Sequence, residues 1–139
     1  MAPRESIYIE GFSHENPVPA GCRVGDLLFT GVVHGGKDGT DPTSFPAEFA
    51  DECAQMSANV AAVLAAVGGS LDDIAKFDIQ LGRSADRAVL NEWWCALFPD
   101  PGRRPARRVS VGTNRPHIRV QCEIVAVLED NAVKGEKHG

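Results

Sequence analysis

The chain lacks the features that announce several large classes of protein. Its four cysteines, Cys22, Cys53, Cys95 and Cys122, are scattered, with no Cys-x-x-Cys pair. That excludes the usual spacing of a zinc site and leaves no paired disulfide framework, so they read as free thiols. No apolar run follows the early basic residue Arg4. No export signal is therefore expected, and a cytoplasmic location is the expectation. The longest apolar stretch, Val60 to Val67, is far too short to cross a bilayer. Positive charge is scarce: Lys and Arg number 14 against 19 Asp and Glu, a net charge of −5. Aromatic residues make up only 6%. An acidic, aromatic-poor chain suits neither a nucleic-acid surface nor a membrane surface, and no nucleic-acid or membrane partner is expected. The glycine-rich segment at residues 35–42 does not end in Gly-Lys-Ser/Thr, so it is no phosphate cradle and reads as a flexible loop.

What is present is enough for one domain. In 139 residues, 43% hydrophobic and 24% charged, a core can form without metal or disulfide support. The domain spans residues 1–128, and residues 129–139 form a polar tail. Ile7-Tyr8-Ile9 suggests a short strand, and residues 13–19 a proline-containing loop. Residues 23–33 are rich in branched and aromatic side chains and predict one buried strand. Thr43-Ser44-Phe45-Pro46 resembles a helix start. Behind it Phe49, Cys53, Met56, Val60, Val63, Leu64 and Val67 recur at helical spacing until Gly68-Gly69. Residues 74–81 alternate, with Phe77, Ile79 and Leu81 on one face and Lys76, Asp78 and Gln80 on the other. Residues 84–98 predict a second amphipathic helix, with Ser84 as candidate cap and one of Trp93 and Trp94 inside. Residues 107–111 and 118–128 complete an α+β chain: a mixed sheet with two helices packed on one face.

The last strand concentrates the functional signal. Ile118, Val120, Cys122, Ile124, Ala126 and Leu128 share one face. The other face carries Arg119, Gln121 and Glu123, then turns apolar at Val125 and Val127. Such a strand suits a sheet edge or mouth, and its apolar end implies cover by other copies of the chain. The arginine-rich turn at residues 103–108 supplies guanidinium groups shaped to grip a carboxylate. Asn59 is an indifferent helix former that could serve packing or a site. His34 and His117 are candidate acid–base groups, with solvated loop histidines as the alternative. For Glu123 the alternative is an ion pair to Arg119 or Arg108.

The order of these segments resembles the reactive-intermediate deaminases, the RidA/YjgF family once described as endoribonucleases. The likeness rests on residues 24–30, on Asn59 with Ala65-Ala66-Val67-Gly68, on residues 91–98, on Pro105-Ala106-Arg107, and on residues 123–127. It implies a chorismate-mutase-like fold, a homotrimeric barrel, and a cleft at each subunit interface. It implies hydrolysis of small enamine or imine carboxylates to a keto acid and ammonia, without cofactor or metal. Arg107 falls on the family's carboxylate-gripping arginine, and Asn91, Gly31 and Val18 on the substrate-binding surroundings. Gln121 stands where the deaminases carry a water-positioning glutamate, Gly31-Val32 where they carry Ser-Gly, and Val18 in place of a pocket tyrosine. Gln121, Glu123 and His34 are the candidate catalytic residues. A non-catalytic binder of small carboxylates is the alternative, since Gln121 can hold a water but cannot take a proton. An endoribonuclease is the third reading.

Overall fold

The computed structural model describes residues 3–11 and 17–129. Most of the loop expected at residues 13–19, and the tail beyond Glu129, lie outside the described residues. Seven strands form one sheet: β1 (Glu5–Ile7), β2 (Gly21–Val24), β3 (Leu27–Thr30), β4 (Val33–His34), β5 (Ile74–Leu81), β6 (Ala106–Val111) and β7 (Val120–Val127). Their order is β1-β2-β3-β7-β5-β6, with β4 pairing β7 beyond the end of β3. Only β5 and β6 run parallel. Two helices, α1 (Phe49–Ala65) and α2 (Arg87–Leu97), pack on one face, as the two apolar stripes predict.

The expected single strand over residues 23–33 is instead the end of a hairpin followed by a separate β4. Gly25 reverses the chain at φ +59°, and Val24 pairs with Leu27 across a two-residue turn. Glycine at the first central position is what a type II′ turn asks for. Leu28 is fully buried while Leu27 and Phe29 are exposed, so the apolar run hides an alternating strand. At the break between β3 and β4, the Thr30 hydroxyl accepts the Ile124 amide at 2.9 Å.

The α-helix opens later than the sequence suggests. Thr43 and Ser44 lie in a separate 3-10 turn capped by Asp41, and Glu48 precedes the first turn of α1. Its end is as predicted: Gly68 takes φ +76°, and the Gly69 amide donates to Leu64 O at 2.8 Å. Ser84 is not the cap of α2, since a 3-10 turn at Ser84–Asp86 precedes it. Trp94 is buried and Trp93 half-buried; both rings stand nearly perpendicular to Phe77. All six even-numbered residues from Ile118 to Leu128 are buried. Yet β7 lies in the middle of the sheet, so the edge reading of that strand is corrected; the edges are β1 and β6.

The loop at residues 35–42 is packed along its first half rather than loose. Asn59 Nδ2 donates to His34 O and Gly36 O at 2.8 and 3.0 Å, which settles its role as structural. A Cβ on Gly35 would sit 2.3 Å from Glu52 O.

Candidate functional site

Arg107 stands at the start of the edge strand β6, opposite Phe77 in register. Phe77 is fully buried toward the helices, so Arg107 leaves the sheet on that side. Its guanidinium lies over the Trp94 ring, 5.1 Å from the centroid. Nη2 donates to Asn91 Oδ1 at 2.9 Å. Nη1 is shielded from solvent and has no hydrogen-bond acceptor among the described residues. Burial, with the nearby positive charge of Arg87 second, holds this guanidinium below its ordinary pKa, although a guanidinium stays cationic. Asn91 orients the cation without neutralising it. The arrangement can take a carboxylate on the free nitrogen.

A second polar constellation occupies the opposite, open face. Asp78 on β5 lies between Arg108 of β6 and Glu123 of β7, and Gln80 lies between Ser110 and Gln121. These six side chains line a cleft of about 300 Å³. Asp78 Oδ1 is shielded and accepts no hydrogen bond among the described residues, though Lys76 Nζ approaches to 3.9 Å. Glu123 forms neither of the ion pairs weighed for it: Arg119 is engaged by Glu52, and no pair to Arg108 is present among the described residues.

The structure therefore brings Arg107 together with Asn91, and Gln121 together with Glu123, but sets the two pairs on opposite faces of one sheet. His34 pairs with Gln121 in register but is buried and does not line the cleft; its Nδ1 accepts the Gly36 amide at 3.1 Å and its ring is 5.0 Å from Phe45. His117 bonds Gly39 O through Nε2 at 2.7 Å and meets Phe45 edge-on. Val18 and Gly31 are exposed at neighbouring points, since the Gly31 amide donates to Ala20 O. Asp78, Gln80 and Ser110 were not assigned to a site from the sequence, and Arg108 entered only through the arginine-rich turn and as a possible partner of Glu123. Their signal was the polar side of residues 76–80, which becomes a cleft only through cross-strand register. No group of three or more His, Cys, Asp or Glu among the described residues could hold a metal ion, and no described helix is long and apolar enough to cross a membrane.

The sequence profile of the family described as endoribonuclease L-PSP matches residues 7–128. The chain belongs to that family. Its L-PSP fold is shared by RidA from the Antarctic bacterium Psychrobacter sp., at 25% identity and TM-score 0.78, over 89% of this chain and 99% of that one. The YjgF gene product of E. coli matches at 24% identity and TM-score 0.76, covering 90% and 99%. A yeast protein, YEO7, matches at 21% identity and TM-score 0.79, covering 91% and 100%. With the family match, RidA at 25% identity puts the chain among RidA/YjgF proteins, and all three neighbours bear out the mixed sheet with two helices. A sequence search of curated proteins finds no match.

Proposed function

We propose that this L-PSP family member hydrolyses small enamine or imine carboxylates to a keto acid and ammonia, at a site closed between copies of the chain in a homotrimer. The observation that carries the reading is Arg107: a half-buried cation, braced by Asn91 and Trp94, with one shielded nitrogen unused. Its strand is a free sheet edge, open to a second copy. The apolar band of Leu27, Phe29, Val125 and Val127 on the open face offers the contact.

Arg107 and Gln121 leave opposite faces of one sheet, so the residues that order the water come from the neighbouring copy. In this arrangement Arg107 fixes the carboxylate. The neighbour's Gln121 holds a water against the electrophilic carbon, and Glu123 takes its proton. His34, buried beside Phe45, drops out of the chemistry. Val18 and Gly31 form part of the substrate wall. Imines are intrinsically labile, so positioning supplies most of the acceleration and no cofactor or metal is called for. A cytoplasmic setting, where such intermediates arise, fits the free thiols.

The test is ammonia release from an imine generated in the same vessel. Parent protein should accelerate it, and Arg107→Ala should remove most of the effect; an Arg107→Ala variant as fast as the parent refutes the mechanism. The amide at Gln121 favours a second reading, a binder of small carboxylates without turnover. Calorimetric binding of a keto acid with no acceleration of any imine would select it. RNA cleavage is disfavoured by the acidic charge and scarce aromatics.

A further inference from the structure

A second guanidinium that the reaction above leaves unused stands on the helix that braces Arg107. Arg87 is the first residue of α2, and Asn91 lies one turn later on the same helix face. Asn91 is the residue that accepts the hydrogen bond from Arg107, so one helix face aligns Arg87 with the arginine of the site. The two cations feel each other, since Arg87 is the largest influence on Arg107 after burial.

Neither is neutralised. Carboxylates elsewhere are paired with other cations, Asp78 with Lys76, Asp86 with Arg83 and Glu52 with Arg119. Asp86, beside Arg87 in sequence, is buried and has both oxygens engaged by Arg83. Asn91, which accepts from Arg107 and lies one helical turn after Arg87, is uncharged. One guanidinium in a carboxylate site suits a monoacid. Two that repel each other, with no carboxylate paired to either among the described residues, suit a ligand with two anionic ends.

We propose that the substrate is the imine of an acidic α-amino acid, its α-carboxylate on Arg107 and its side-chain carboxylate on Arg87. The inference rests on the deaminase reading of the same site and adds the substrate class. The chemistry balances without a redox partner. A water oxygen bonds to the imine carbon while the C=N π pair moves to nitrogen. The C–N bond of the resulting carbinolamine then breaks. The bonding pair leaves with nitrogen as the hydroxyl oxygen releases its proton and forms the C=O bond; the two water protons and one from solvent complete the departing ammonium, leaving an α-keto diacid.

Imines of a neutral and of an acidic amino acid can be generated in situ by an amino-acid oxidase, and ammonia release compared. The parent should favour the diacid imine by about tenfold in kcat/KM. Arg87→Ala should abolish that preference by raising KM, leaving kcat and the monoacid rate within about twofold, and Arg87→Lys should restore much of it. Equal rates on both imines, or equal losses on both in Arg87→Ala, would overturn the proposal while leaving the deaminase reading intact. Calorimetry with the keto acids separates the two ideas further. Tighter diacid binding that Arg87→Ala abolishes supports the two-cation site even if no imine is turned over. Equal binding of monoacid and diacid refutes it.

Discussion

The carboxylate of Glu52 receives both the backbone amide and Nε of Arg119, at 2.9 and 2.6 Å. Glu52 lies in the first turn of α1 and is fully buried, and Arg119 enters β7. The same guanidinium donates to Pro46 O at 3.0 Å, so one pair ties helix, loop and central strand together.

Replacing the acid by its amide leaves a partly buried cation unpaired and sets an NH2 donor against one of the two Arg119 donors. Glu52→Gln should therefore cost about 3 kcal/mol, read as a lower urea midpoint at unchanged slope. The exposed Lys76–Asp78 pair is the contrast: Lys76→Ala should cost less than about 1 kcal/mol.

Asn91→Asp and Asn91→Ala should act differently on the proposed reaction. Alanine removes the brace of Arg107 and lowers activity. Aspartate keeps a hydrogen bond but supplies a resident anion that competes with substrate, so KM should rise about tenfold beyond that of the alanine variant. Identical KM values would separate Asn91 from carboxylate binding.

The open face predicts an assembly. Leu27 faces Val127 and Phe29 faces Val125 across β3 and β7, and Phe29 and Val127 are 42% and 51% exposed. Analytical ultracentrifugation should show a trimer for the parent and a smaller species for Val127→Asp. A parent that sediments as a monomer would remove the basis for an interface site.

Two buried thiols give a pH dependence. Burial first, then the charge of Glu52, pushes Cys53 up to about 12 from an ordinary 9.0, and burial raises Cys122 further still. The folded chain thus keeps protons that the unfolded chain releases above pH 9. Stability from these groups is complete below that pH and is lost as the pH rises toward 12. Urea midpoints should fall between pH 9 and 11, and Cys53→Ala should flatten the decline. Exposed Cys95 should react with a thiol reagent at pH 8 in the folded protein, whereas Cys53 and Cys122 should react only on unfolding.

The parts of the fold that repeat along the chain could be read from it. The parity of residues 118–128 marked the buried face of β7, and the spacing from Phe49 to Leu64 marked the buried stripe of α1. What could not be read depends on single residues that change direction. Gly25 turns a continuous apolar run into a hairpin, and Asp41 diverts Thr43 and Ser44 into a turn of their own. The site divided in the same way. Arg107 was visible because guanidinium chemistry is local. Its separation from Gln121 followed only from the pairing of Arg107 with Phe77 and of Gln121 with Gln80. The row Arg108–Asp78–Glu123 draws on three strands, and no local pattern reports such a meeting.

Along β6, a ladder of amide and carbonyl groups from Ala106 to Val111 has no neighbour on its outer side among the described residues. Unmatched ladders of this kind recruit whatever extended peptide is nearby, and β6 has neither proline nor lysine to discourage it. Dilution, or any substitution that separates the copies, would then have a cost beyond lost turnover. The freed protomers would tend to precipitate or grow into fibres.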